Sequence, residues 1–197
     1  MKRILVALAL TFVAGFAFAA DEKPLPKPDV LTEETVYTSQ RLSAVYDTII
    51  IRDLTTDGAE LSNLDSEEMT KLEAMKPLLV RTVTDSIEME LKLNKLFKTI
   101  QKNTQPKGKA VILEGAFTEF NAGNRAVRFW VGFGAGKTYL KVKGRLIDAE
   151  SGKELATFED RETGYRGTMT LENFADLFPH QAKSLGENIV KFIQKLY

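Results

Sequence analysis

Two strand-like runs joined by a tight turn occupy residues 138–162. Residues 138–148 and 153–162 alternate between apolar and polar side chains, and Glu150-Ser151-Gly152 lies between them. Such alternation is typical of half-buried strands, and glycine adopts the left-handed conformation that tight turns need. The predicted register pairs Ala149 with Lys153, Leu146 with Ala156, Gly144 with Phe158 and Lys143 with Glu159. The last pair predicts an ion pair on the polar face, so the sequence favours an antiparallel sheet.

Two further strands and two helices are predicted around this hairpin. Residues 48–54 and 110–120 are rich in β-branched and other apolar side chains. Asp65 with Glu68 forms a capping-box pattern ahead of apolar residues at helical spacing, and Pro77 is expected to kink or restart that helix. The helix should end within residues 95–102, where a short strand is the alternative. A second helix carries apolar residues from Phe174 to Leu196, with a break expected at Pro179.

The order of these elements is β-α-β-β-β-α. It predicts an α+β fold, a two-layer sandwich in which a mostly antiparallel sheet of about four strands carries two main helices on one face. Residues 41–197 are numerous enough for a single domain with a sizeable core.

The N-terminus has the pattern of an export signal. Lys2 and Arg3 precede an apolar run that ends at Ala17-Phe18-Ala19, so residues 1–19 are predicted to be a signal peptide cleaved near Ala19. Residues 20–40 hold three of the six prolines and are expected to form an extended leader outside the core. We therefore expect a periplasmic protein without a transmembrane span in the mature chain.

Composition excludes several classes of function. The chain has no cysteine, which excludes disulfides, cysteine-based metal sites and a cysteine lipid anchor. Lysine and arginine together number 27, as do aspartate and glutamate. Loss of the signal removes two basic residues and leaves the mature chain slightly acidic, so we expect no nucleic-acid binding.

Residues 132–138, Gly-Phe-Gly-Ala-Gly-Lys-Thr, resemble a phosphate-binding loop but lack two of its requirements. The first glycine of that motif would stand at position 131, which is Val131. The residues after Lys137 alternate as a strand, whereas the motif needs a helix whose N-terminus faces the phosphates. A nucleotide-binding enzyme is therefore the least favoured interpretation.

Other candidate sites have simpler explanations. His180 is the only histidine and lies at a helix start, with no nucleophile elbow in the chain. Acidic residues at positions 53, 57, 60, 65, 67 and 68 do not have the spacing of a calcium loop. Alternate residues on one face of the predicted strand form a basic stripe that could attract an anionic partner, such as a phospholipid headgroup or an acidic polymer: Lys137, Tyr139, Lys141, Lys143 and Arg145. Charges paired with the neighbouring strand are the favoured explanation. We expect no catalytic residues, no metal site and no cofactor.

The connection spanning residues 121–137 is the strongest candidate for a binding site. It is longer than ordinary hairpin loops and contains the only tryptophan between several glycines. Its aromatic residues either fold back on the core or offer apolar surface to a partner, and both alternatives remain open. The residues expected to contact a partner are Arg125, Arg128, Phe129, Trp130, Gly132, Phe133, Gly134, Gly136 and Lys137.

The chain resembles the domain of unknown function 4410 family over about residues 40–195. The resemblance is carried by Leu113-Glu114-Gly115, Gly123-Asn124-Arg125, the glycine-rich residues 132–137, Gly144 and residues 148–152. It implies an exported bacterial envelope protein, in a family that includes many lipoproteins and has no established activity. This chain differs from the lipoprotein members because it lacks the cysteine that would carry the lipid.

Together these observations predict an exported, non-enzymatic envelope protein that acts as an interaction or assembly module through residues 121–137. Its expected partner is an envelope protein or a second copy of the chain. The alternative is a periplasmic carrier of a small molecule or lipid, with a pocket between helix and sheet.

Overall fold

The predicted hairpin forms the middle of a larger sheet. The computed structural model describes residues 23–124, 136–164 and 173–197, so the predicted signal peptide lies outside the described residues. These ranges contain three helices and seven strands. The strands are β1 (Glu33–Val36), β2 (Thr48–Ile51), β3 (Glu60–Ser62), β4 (Thr99–Lys102), β5 (Val111–Asn121), β6 (Tyr139–Asp148) and β7 (Glu154–Thr163).

The sheet is mixed, in the order β1-β7-β6-β5-β2-β4, with β3 paired to β5 beyond the end of β2. Strand β2 runs parallel to both β4 and β5, and β3 is also parallel to β5, whereas the other pairs are antiparallel. The α+β class is confirmed, but the prediction of about four mostly antiparallel strands is wrong. The missed strands are only three or four residues long and mostly polar. They therefore show no alternation of apolar and polar residues that would predict a strand, and they form by pairing with the rest of the sheet.

One of the missed strands lies in the segment expected to be a leader. Strand β1 pairs with β7, and Leu31 just before it is buried in the core. Glu34 holds the preceding turn, because its carboxylate accepts hydrogen bonds from the backbone N–H groups of Asp29, Val30 and Leu31. The expectation of a segment outside the core is therefore wrong for residues 31–36.

The hairpin register agrees with the sequence at three of the four predicted pairs. Leu146 faces Ala156, Gly144 faces Phe158 and Lys143 faces Glu159. Ala149 does not face Lys153, because a bulge between Leu146 and Ile147 shifts the register before the turn. The predicted ion pair between Lys143 and Glu159 is wrong. Glu159 pairs instead with Lys141, its diagonal neighbour on β6, at 2.7 Å.

Two long helices cover one face of the sheet, after the short α1 (Leu42–Val45). Helix α2 spans Ser66–Leu93 and begins with the predicted capping box of Asp65 and Glu68; α3 spans Phe174–Leu196 and begins at a second capping box on Asn173. Pro77 and Pro179 both lie inside continuous helices, so neither restarts its helix as expected.

Buried neighbours explain the tolerance of Pro179. A proline inside a helix costs about 3 kcal/mol, whereas complete burial of one large apolar side chain contributes about 1.5–3 kcal/mol. Phe178, Ala182 and Leu185 beside it are all fully buried. Their packing outweighs the hydrogen bond that the proline removes.

The space between helices and sheet is filled by side chains. Phe117 and Phe120 on β5 stack with ring centroids 5.0 Å apart, and Phe120 also contacts Phe178 of α3. Phe158 of β7 contacts Phe192 of α3, and all five rings are buried. In the described ranges, no helix combines the length and hydropathy of a membrane-spanning segment.

Tyr46 joins the start of β2 to the hairpin turn. Its hydroxyl donates to Asp148 Oδ2 at 2.6 Å, while Asp148 Oδ1 accepts from the backbone N–H groups of Glu150 and Ser151. These hydrogen bonds, that of Tyr46 above all, lower the pKa of Asp148. Burial and the same contact raise the pKa of Tyr46. The buried hydroxyl of Tyr46 thus stabilises the turn between β6 and β7 by a hydrogen bond to the ionised carboxylate of Asp148.

Replacing Tyr46 by phenylalanine is expected to reduce the free energy of unfolding by about 1.5–3 kcal/mol at pH 7, because a hydrogen bond to a charged group is lost. Since folding lowers the pKa of Asp148, this contribution is complete above the pKa of the unfolded carboxyl group. It is lost as pH falls through the folded value. Urea denaturation across pH measures it. Tyr37→Phe, at a tyrosine 43% exposed, is the control, and an equal change in both variants would contradict the assignment.

Candidate functional site: the neck of the glycine loop

The residues on either side of the predicted contact loop close into a narrow neck. Beyond the last pair of β5 and β6, the backbone N–H of Asn124 donates to the carbonyl of Gly136 at 2.9 Å. On the β5 side, the backbone N–H of Ala122 also donates to the carbonyl of Ser62, the last residue of β3. The neck, residues 121–124 and 136–139, is thus a continuation of the sheet.

Two glycines make this closure possible. Gly123 and Gly136 have φ values of +70° and +68°, in the region that other residues rarely occupy. A Cβ atom on Gly123 would also lie only 2.4 Å from the carbonyl oxygen of Gly136. Backbone geometry thus requires glycine at both positions. The chain after Lys137 enters strand β6 and not a helix, as the sequence predicts.

Of the residues predicted to contact a partner, Gly136 and Lys137 lie at this neck. The other seven lie outside the described residues: Arg125, Arg128, Phe129, Trp130, Gly132, Phe133 and Gly134. The structure therefore describes the base from which the loop leaves the sheet.

Asn121 organises the inner wall of the neck. Its side chain is buried, and its Oδ1 accepts from the backbone N–H of Gly123 at 2.8 Å and from Asn63 Nδ2 at 3.0 Å. Its Nδ2 donates to Glu119 Oε1 at 3.3 Å. One amide thus joins β5, the residue after β3 and the first turn of the neck.

Glu119 and Tyr139 form a bonded pair beneath the groove. The Tyr139 hydroxyl donates to Glu119 Oε1 at 2.5 Å, and Ser62 Oγ donates to the same oxygen at 3.0 Å. Burial opposes ionisation of Glu119, but hydrogen bonds from Tyr139, Ser62 and Asn121 outweigh it, so its pKa is lowered. Burial and the contact with Glu119 raise the pKa of Tyr139. The carboxylate is ionised and occupied by its own neighbours.

A groove of about 560 Å³ opens beside the neck on the face of the sheet that carries no helix. Arg161 of β7 lies over the Tyr139 ring, with its guanidinium carbon 5.2 Å from the ring centroid. Arg161, Lys137 and three asparagines line the groove, and none of the described residues that line it carries a carboxylate. This arrangement can bind a polar or anionic group.

Sequence reasoning missed Arg161 and the asparagines. The hairpin register, extended to the end of β7, places Arg161 opposite Lys141 and diagonal to Tyr139, so this contact was accessible from the pattern. The position of Asn63 was not predictable from the pattern, because it depends on the short strand β3 and on the positive φ of 58° at Asn63 itself.

Two cations of the predicted basic stripe, Lys141 and Arg145, are ion-paired on this face. Lys141 pairs with Glu159, and Arg145 pairs with Glu114 and Glu154 at 2.7 and 2.9 Å. A wider groove of about 960 Å³ crosses this region and contains residues of both charges. Charge pairing between strands therefore accounts for these two residues, whereas Lys143 has no ion pair with another described residue.

His180 lies exposed near the start of α3, beside a small cavity of about 270 Å³ that Glu162 and Gln181 also line. Burial and the neighbouring Asp160 raise the pKa of Glu162.

Among the described residues, no three histidine or carboxylate side chains come close enough to hold a metal ion. Asp53, one of the acidic residues considered for calcium, accepts hydrogen bonds from Thr84 and Asn103.

Gly123→Ala is expected to destabilise the protein more than Gly152→Ala. Both glycines have φ near +70°, but space is open around Gly152, whereas the new methyl group at Gly123 would overlap the Gly136 carbonyl. The shared backbone cost is about 1–2 kcal/mol, and the overlap adds to it. Urea denaturation of both variants measures the difference, and equal losses would contradict a closed neck.

Comparison with known proteins finds structural similarity at low sequence identity. The PelC dodecamer from Paraburkholderia phytofirmans is 12% identical, with a TM-score of 0.46 over 82% of this chain and 98% of that chain. Protein XCC0632 from Xanthomonas campestris is 10% identical, with a TM-score of 0.45 over 80% and 90% of the two chains. Lipoprotein GNA1162 from Neisseria meningitidis is 14% identical, with a TM-score of 0.30 over 75% and 98%.

None of the curated proteins matches the sequence significantly. A family comparison does match, over residues 49–168, which is more than half of the chain and includes the neck. This range is shorter than the resemblance seen in the sequence, but it confirms the family. The chain belongs to the family described as Domain of unknown function (DUF4410).

Proposed function

We propose that this protein is an exported, non-enzymatic module of the bacterial cell envelope that binds an envelope protein or a second copy of itself through residues 121–137. The observation that carries the proposal is the closed neck. Because Asn124 and Gly136 are hydrogen-bonded at the end of the central strands, whatever the loop presents is attached to the most extensively paired part of the sheet. A binding loop on a fixed base loses less conformational entropy when it binds.

The chemistry of the neck favours binding over catalysis. A general acid or base needs a titratable group free to exchange a proton with substrate. Glu119 accepts hydrogen bonds from three neighbours, and Tyr139 uses its hydroxyl to bind Glu119. These groups maintain the shape of the groove. The proposal therefore assigns no reaction to the site.

The carrier alternative receives less support from the packing. A lipid or small-molecule carrier needs a cavity between the helices and the sheet. Phe117, Phe120, Phe178 and Phe192 fill this layer, and each is at most 1% exposed. The two larger grooves lie on the helix-free face. The cavity beside His180 does lie between α3 and the end of β7, but its volume is only about 270 Å³, below the roughly 300–1,000 Å³ of ordinary ligand pockets. The interaction module is therefore the better-supported function.

Combined replacement of Trp130 and Phe133 by alanine is expected to abolish partner capture without loss of stability. The reason is that large aromatic side chains dominate the binding energy of protein interfaces. A photo-crosslinking amino acid at position 137, in cells of the native host, reports capture, and mass spectrometry identifies the crosslinked protein. We expect a decrease of about tenfold or more in crosslinked product, with the melting temperature unchanged.

The control is Tyr37→Ala, which removes an exposed aromatic side chain outside the neck and the groove and should leave capture unchanged. A large fall in melting temperature for the double variant would mean that the loop packs on its own core. Unchanged crosslinking by the double variant would contradict the proposal directly.

A further inference from the structure

Arg161 lies against an aromatic ring, and its hydrogen-bond donors are unused among the described residues. Its guanidinium lies over the Tyr139 ring, and Tyr139 is itself fixed by its bond to Glu119. Within the described part of the chain, Arg161 makes no hydrogen bond or ion pair. A guanidinium group carries five N–H donors in a planar fork, and stacking on an aromatic face leaves those donors available. The groove therefore contains a fixed fork of donors without an acceptor.

The charge around Arg161 favours an anion. Lys137 lines the same groove and adds a second positive charge. Two acidic side chains on this face are engaged elsewhere, since Glu119 is bonded beneath Tyr139 and Glu159 pairs with Lys141 at 2.7 Å. Neither of them lines the groove. Among the described residues, no carboxylate that lines the groove therefore offsets the charge of Arg161.

The backbone of the neck favours carboxylate over phosphate. Phosphate sites in proteins depend on several free backbone N–H groups or on a helix N-terminus. At the neck, the N–H of Gly123 donates to Asn121 Oδ1 and the N–H of Asn124 donates to the Gly136 carbonyl. The chain then continues into a strand. What remains is a side-chain fork, which matches the two oxygens of a carboxylate.

We propose that the groove beside the neck binds a carboxylate group on an acidic segment of the partner protein, with Arg161 as its bidentate ligand. This inference rests on the proposed function, because it specifies the chemistry of the partner that the same region binds. Residues 125–135 are not needed for it. Arg161 on the ring of Tyr139 is sufficient to form the receptor.

The test is an NMR titration of ¹⁵N-labelled protein with the peptide acetyl-Glu-Asp-Glu-amide. The expected result is a saturable change in the signals of Arg161 Nε and of the Gly136 and Lys137 amides, weaker at high salt because the contact is electrostatic. The uncharged peptide acetyl-Gln-Asn-Gln-amide should produce no such change. Inorganic phosphate, as a third probe, should bind more weakly than the acidic peptide.

Arg161→Gln is expected to weaken binding of the acidic peptide by about tenfold or more, because it removes a charged bidentate contact. Arg161→Lys should recover only part of the affinity, since an ammonium group cannot form the fork. Arg145→Gln, on the same face but already paired with Glu114 and Glu154, is the matched control and should bind as the wild type. Arg161 is exposed, so these variants should keep the melting temperature.

Four results would each overturn the inference: no change with the acidic peptide, an equal change with the uncharged one, tighter binding of phosphate, or wild-type affinity in Arg161→Gln. The test is separable from that of the proposed function. If the peptide fails while Trp130→Ala with Phe133→Ala still abolishes crosslinking, only the carboxylate chemistry is wrong. If the peptide binds while crosslinking is unaffected by the double variant, the contact role of the loop is wrong.

Discussion

The close approach of strands β5 and β6 is the constraint on which the rest of the structure depends. A Cβ atom on Gly115 would lie 2.3 Å from the carbonyl oxygen of Lys143, so the two backbones meet there without room for a side chain. The paired Gly144 leaves space for the ring of Phe158, which in turn contacts α3. These glycines fix the register of β5 against β6, and that register aligns every inward-facing residue with the helices.

The same register determines where the groove of the proposed partner contact lies. Its last pair, Asn121 with Tyr139, is the first step of the neck, and the Asn124–Gly136 hydrogen bond closes it. Along the middle of β6, cations meet carboxylates on the adjacent strands. At the neck, Arg161 lies over the Tyr139 ring, and no acidic side chain is among the described residues that line the groove. This difference in charge pairing is why the proposed contact is placed at the neck and not along the middle of the strand.

The sequence predicts the long elements well because their patterns follow from burial. The capping box at Asp65, the hairpin from Leu146 to Ala156 and the strand character after Lys137 are all confirmed. Short strands such as Glu60–Ser62 are not predictable in this way, because pairing with β5 creates them. The site is likewise only partly predictable. Its glycines are recognisable in the sequence, but the groove also depends on strand β3, on the contact of Arg161 with Tyr139 and on the hydrogen bonds of Asn121.

Native-state hydrogen exchange at the neck tests most directly whether this region is a folded continuation of the β5–β6 pair. The backbone N–H of Asn124 donates to Gly136, and that of Gly164 donates to Thr138. If the account is correct, both amides exchange with free energies of opening close to those of the paired residues Phe120 and Leu140. Exchange of Asn124 at the rate of an unstructured chain, while Phe120 and Leu140 remain protected, would contradict it.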